Sequence, residues 1–173
     1  MNIEKYPDYK NEIKELIGQL QSSDGLQRQR ARVTLVEIGW QAVPELVKAM
    51  ADTNEHVRWE AAKALGDIGD PSSALALVHA LEDENQDVRG VASESLICLE
   101  RAAVLPLLQE LTKNFGSVWL REGAHHVLHI LRNNGLLTQP EIEVFEALED
   151  VAPEVEVPWA AERALKTLQI DNR

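Results

Sequence analysis

Val57, Ala61, Ala64, Leu65 and Ile68 fall at i, i+4, i+7, i+8 and i+11, the spacing of one face of an α-helix. At helical rotation they occupy about 100° of arc. The pattern returns in Val88-Arg89-Gly90-Val91-Ala92-Ser93-Glu94-Ser95-Leu96-Ile97-Cys98-Leu99, 31 residues after Val57. Weaker copies are Leu26–Arg28 with Ala31, Thr34, Leu35 and Ile38; Leu120-Arg121 with Ala124, Val127, Leu128 and Leu131; and Val157–Trp159 with Ala161, Ala164, Leu165 and Leu168. Spacings of about 31, 31, 32 and 37 residues separate the copies, a period that implies stacked helical units. Shorter apolar helices are expected between them, at Asp8–Leu20, Gln41–Ala51, Pro71–Leu81, Ala102–Thr112 and Gln139–Leu148. Their punctuation agrees. Asp70 can cap a helix that begins with Pro71, Thr138 and Glu141 have capping-box spacing, and Asn133-Asn134-Gly135 stops a helix. The expected architecture is one all-α domain over residues 1–173, a solenoid of about five hairpins near 8–39, 41–69, 71–99, 102–132 and 138–169.

The string Ala64-Leu65-Gly66-Asp67-Ile68-Gly69-Asp70-Pro71, then Ala76–Asp83 and Asp87-Val88-Arg89, resembles HEAT repeats, and within them the phycobilisome-lyase-type HEAT-like repeat. The resemblance implies a right-handed α-α superhelix whose second helices line the concave side. It also implies a ladder in which an Asp ending the first helix bonds an Arg on the second. Asp52 with Arg58, and Asp83 with Arg89, have the matching spacing of six. Arg28 and Arg121 have Ser22 and Phe115 at that place, and Pro158 replaces the Arg of the fifth copy. The ladder is therefore expected only in the middle, with the ends acting as caps.

On that resemblance, the helix face opposite the core should line a groove. The aligned positions are Gln29, Arg32, Val33 and Val36; Trp59, Ala62, Lys63 and Gly66; Gly90, Ser93, Glu94 and Ile97; Glu122, His125, His126 and His129, with Trp119 beside them; and Trp159, Glu162, Arg163 and Lys166. Trp59 and Trp159 occupy the same repeat position, and exposed Trp is enriched in binding hot spots. Each could instead pack over a neighbouring helix. Ala62, Gly66, Gly90 and Ser93 leave room beside them. The expected partner-contacting residues are Trp59, Lys63, Glu94, Trp119, Glu122, His126, Trp159 and Arg163.

Net charge is −12, which opposes nucleic acid and anionic membranes as partners. The charge is uneven: residues 139–162 hold eight acids and no Lys or Arg, whereas Arg28, Arg30 and Arg32 cluster near the other end. No apolar run is long enough to span a bilayer, and Met1–Tyr6 lacks the pattern of a leader. The lone Cys98 falls on a core position, which fits a reducing, cytoplasmic setting.

His125 and His129, one helical turn apart, share a stripe with Glu122, a spacing that can hold a transition metal. The stripe lacks the order of a metalloprotease motif, and it reads more readily as solvated surface or a pH-sensitive patch. HEAT-like deoxyhypusine hydroxylases carry adjacent His-Glu pairs for iron. The matching pairs here are Trp59-Glu60, Gly90-Val91, Glu122-Gly123 and Trp159-Ala160, so that chemistry is not expected. HEAT-like DNA glycosylases use a strongly basic groove, which this composition lacks. No cofactor is expected. The sequence reads as a non-catalytic module holding a peptide or protein in its groove. The alternative is a phycobilisome-lyase-type role, attaching or detaching a bilin on a phycobiliprotein.

Overall fold

The computed structural model describes residues 9–171 in backbone and residues 9–168 in side chain. The expected start at Asp8 and the Met1–Tyr6 segment lie outside the described residues. Among those described there are helices α1 Lys10–Gln19, α2 Gly25–Ile38, α3 Val43–Ala49, α4 Glu55–Ile68, α5 Ala74–His79, α6 Gln86–Cys98, α7 Arg101–Lys113, α8 Val118–Asn133, α9 Gln139–Leu148 and α10 Pro153–Asp171, and no strand. Single 3₁₀ turns at Gly39–Ala42, Pro71–Ser73 and Ala80–Glu82 flank α3 and α5. The segments expected as single helices at Gln41–Ala51 and Pro71–Leu81 are thus short α-helices with tightened ends.

Side-chain caps start the second helices. Asp24 accepts from the Leu26 N–H, Asn54 from His56, Asn85 from Asp87 and Val88, and Ser117 from Leu120. Each satisfies an amide that no helical carbonyl can reach. The Thr138–Glu141 capping box is formed at the start of α9. Gly39, Gly69 and Gly135 take positive φ after α2, α4 and α8. Glu100 takes φ 50° at the equivalent place after α6, where a side chain is strained.

Helices α2, α4, α6 and α8 lie side by side as one layer, each packed against its own hairpin partner. The core between the layers is aliphatic: Leu20, Leu35, Leu46, Leu65, Leu77, Leu81, Leu96, Leu107, Leu108, Leu111 and Leu120 are fully buried. Each contributes about 1.5–3 kcal/mol relative to exposure.

Two adjacent second helices approach very closely. The Ser95 hydroxyl donates to the Ala62 carbonyl at 2.9 Å. A methyl group added at Gly66 would lie 2.8 Å from the Ser95 Cα. Ala62 and Gly66 therefore form the α4–α6 seam and are buried, which corrects their placement on the open groove.

The fifth hairpin departs from the expected order. Helix α9 packs on α8, and α10 packs on α7 and α9 rather than stacking on α8. Its two helices have exchanged layers. The sequence difference at this point is Pro158, which cannot supply the arginine used by the other second helices, together with the longer spacing before the copy. Cys98 is exposed and Leu99 takes the buried place, which corrects the expectation of a core thiol. No helix among the described residues is long and apolar enough to cross a membrane.

Candidate functional site

The N-terminal halves of the second helices border two neighbouring hollows. One, of about 650 Å³, is lined by Arg28, Glu55, His56, Trp59, Glu60, Asn85, Gln86, Asp87 and Gly90. The next, of about 300 Å³, is lined by residues including Arg89, Gly90, Glu94, Trp119, Glu122 and His126. Gln86 and Gly90 border both, so the hollows run into each other over the start of α6. A side chain at Gly90 would meet nothing within 4 Å.

Trp59 is half-buried against the core, with the Arg32 guanidinium 5.5 Å from its ring centre. Trp119 is 45% exposed, with the Arg89 guanidinium 4.5 Å from its ring centre. In both cases the cation comes from the preceding second helix, at a distance suited to cation–π attraction. Glu60 is buried and receives Arg32 at 2.8 Å and Arg28 at 3.5 Å. This reaches across repeats and holds Arg32 beside Trp59.

The arginine ladder differs from the one the family resemblance implied. The guanidinium six residues on donates to a main-chain carbonyl: Arg28 to Ser22 at 2.8 Å, Arg58 to Asp52 at 2.9 Å, Arg89 to Asp83 at 2.7 Å, and Arg121 to Phe115. A carbonyl is present whatever the residue, so the missing acids at positions 22 and 115 do not break the series. The side chains of Asp52 and Asp83 instead accept the amides of Asn54 and Asn85, each at 2.8 Å. The inter-repeat link is Arg58 to Asp83, a two-bond fork at 2.7 and 2.9 Å. Burial pushes the Asp83 carboxyl up, but the Arg58 fork, the Asn85 amide and the Arg58 and Arg89 charges together hold it below the usual carboxylate range. The same fork raises Arg58.

The remaining candidate residues scatter. Lys63 pairs with Asp67 along its own helix at 2.6 Å. His126 faces Glu94 at 3.3 Å and both border the second hollow. Trp159 is 63% exposed, but α10 lies against α7 and α9, so the exchange of layers separates Trp159 and Arg163 from the α4–α8 series. Arg163 faces Glu143 at 3.6 Å.

The histidine stripe does not converge on a metal. His125 stacks on Phe145 at 5.0 Å and reaches Glu149 at 3.5 Å, while His129 contacts the Asn133 amide at 3.1 Å. Among the described residues no group of three or more His, Cys, Asp or Glu could hold a metal ion. The alignment of groove residues missed Glu55, His56, Gln86 and Asp87. Their signal was available: each lies within three residues of a capping Asn, and those first turns border the larger hollow.

Residues 13–97 match the HEAT repeats family. The chain is 40% identical over 126 residues to phycocyanobilin lyase subunit alpha of Synechocystis sp., covering 68% of this chain and 45% of that protein. It therefore spans about half the length of the curated relative it matches. Among solved structures it is similar to the complex of CpcE and CpcF of phycocyanin lyase from Nostoc sp. PCC7120, with 25% identity, a TM-score of 0.59, and coverage of 89% of this chain and 98% of that one. A designed armadillo repeat protein in complex with the peptide (KR)4 also matches, at 21% identity and a TM-score of 0.37, covering 93% and 89%.

Proposed function

We propose that the chain, whose residues 13–97 match the HEAT repeats family, serves as a lyase-type HEAT subunit in bilin attachment or detachment. Its part would be to dock a protein partner along the α4–α8 groove. The observation that carries this reading is the 40% identity over 126 residues to a phycocyanobilin lyase subunit. The similarity to a phycocyanin lyase complex supports a protein partner rather than a free-standing catalyst. This favours the pigment-related alternative over a scaffold of unspecified role.

The groove chemistry is compatible with that division of labour. It offers two tryptophans, a shared border at Gly90 and charged rims. Recognition surfaces need aromatic anchors in hollows more than reactive groups.

The test mixes the chain with phycocyanobilin and an apo-phycocyanin subunit, with and without a companion lyase subunit. The bilin absorbance spectrum and covalent attachment on a denaturing gel are followed. Attachment or release that depends on adding the chain supports the reading. Kinetics and yield unchanged by the chain, with no co-elution of any component, would overturn it.

A further inference from the structure

The groove treats its positive and negative charges differently. Its cations are tied to the protein's own groups: Arg28 to the Ser22 carbonyl and Glu60, Arg32 to Glu60, Arg89 to the Asp83 and Glu84 carbonyls, Arg121 to the Phe115 carbonyl, and Lys63 to Asp67. Glu55, Asp87 and Glu122, by contrast, are exposed and form no ion pair among the described residues. Glu55 and Asp87 line the larger hollow beside Trp59, and Glu122 lines the smaller one beside Trp119. The hollows adjoin at Gly90, and together they form a track of two aromatic rings flanked by exposed carboxylates.

We infer that this track binds a basic segment of a protein partner, its Lys or Arg side chains facing Glu55, Asp87 and Glu122 alongside Trp59 and Trp119. The inference rests on the proposed docking role and names the chemistry of what docks. An acidic segment would meet more carboxylates than cations along the two linings: Glu55, Glu60, Asp87, Glu94 and Glu122 against Arg28 and Arg89. A guanidinium or ammonium gains a charge-assisted hydrogen bond from each of those carboxylates. The molecule uses this pairing internally at Trp59, where Arg32 lies over the ring and pairs with Glu60. Complementary charge of this kind sets partner choice and association rate.

The experiment uses the full chain and two fluorescein-labelled peptides, one of alternating Arg and Leu and one of alternating Glu and Leu. Anisotropy is read at about 0.15 M salt. The basic peptide should bind and the acidic one should not. Because the whole chain is acidic, net charge must be separated from the site. The pair Asp87→Lys with Glu122→Lys should weaken the basic peptide about tenfold or more. Glu154→Lys with Glu156→Lys, the same charge change on α10, should alter it by less than about twofold. Gly90→Leu, which fills the shared border, should weaken it as well, and circular dichroism verifies that each variant is folded. Equal loss from the α10 pair, equal binding of the acidic peptide, or no binding of either overturns the inference. The bilin-attachment assay is run on the same preparations. Attachment that persists while peptide binding is absent refutes the groove chemistry alone, and loss of attachment with intact peptide binding refutes the lyase-type role alone.

Discussion

Replacing Arg58 with alanine removes five hydrogen bonds from one place: the fork to Asp83 at 2.7 and 2.9 Å, those to the Asp52 and Thr53 carbonyls at 2.9 and 3.2 Å, and a longer one to the exposed Glu84 carboxylate at 3.4 Å. The side chains are only 8% and 10% exposed, so the Asp83 carboxylate would be left without its counter-charge in a poorly hydrated site. Breaking a buried pair by deleting one partner costs about 3–5 kcal/mol. For a chain of this size that is roughly 6–20 °C in melting temperature. Urea unfolding followed by circular dichroism measures the free energy directly. The double variant Arg58→Ala with Asp83→Ala should cost less than the sum of the two singles, by about 1 kcal/mol or more, because the stranded charge is gone. A single-variant loss under about 1 kcal/mol, or strict additivity, would refute the claim that this fork joins the second and third repeats.

Acid should weaken the same link. Asp83 titrates below its unfolded value, so its contribution is present above about pH 4 and is lost as pH falls through the folded value; the stability of Asp83→Asn should be flatter over that range in acid titration. Gly66→Ala forces a methyl within 2.8 Å of the Ser95 main chain and should cost about 1–3 kcal/mol. Gly90→Ala meets nothing within 4 Å and should stabilise by about 0.5–1 kcal/mol, so thermal melts of the two variants should move in opposite directions. Glu100→Gly relieves the positive φ after α6 and should raise stability by about 1 kcal/mol, read from the denaturation midpoint.

Trp59→Ala is a poorer probe of binding than the sequence suggested. The ring is packed against the core and carries Arg32 on its face, so truncation removes structure as well as surface. Trp119, 45% exposed, separates the two effects better.

The sequence by itself determined the local elements and the repeating unit. Helix faces follow from the 3.6-residue period, and starts and stops follow from Asp70, the Thr138–Glu141 box and Gly135. These depend on interactions within a few residues, which linear spacing encodes. The arginine at the start of the first four second helices was also visible in the sequence, but its acceptor was not. A main-chain carbonyl leaves no residue signature, and Asp83 lies in the next hairpin. Tertiary packing alone decided that Ala62 and Gly66 form a seam rather than a floor, that Cys98 turns outward, and that α10 lies on α7. Which flank of a helix is covered depends on the neighbour it meets, and two flanks of similar composition differ only once that neighbour is in place.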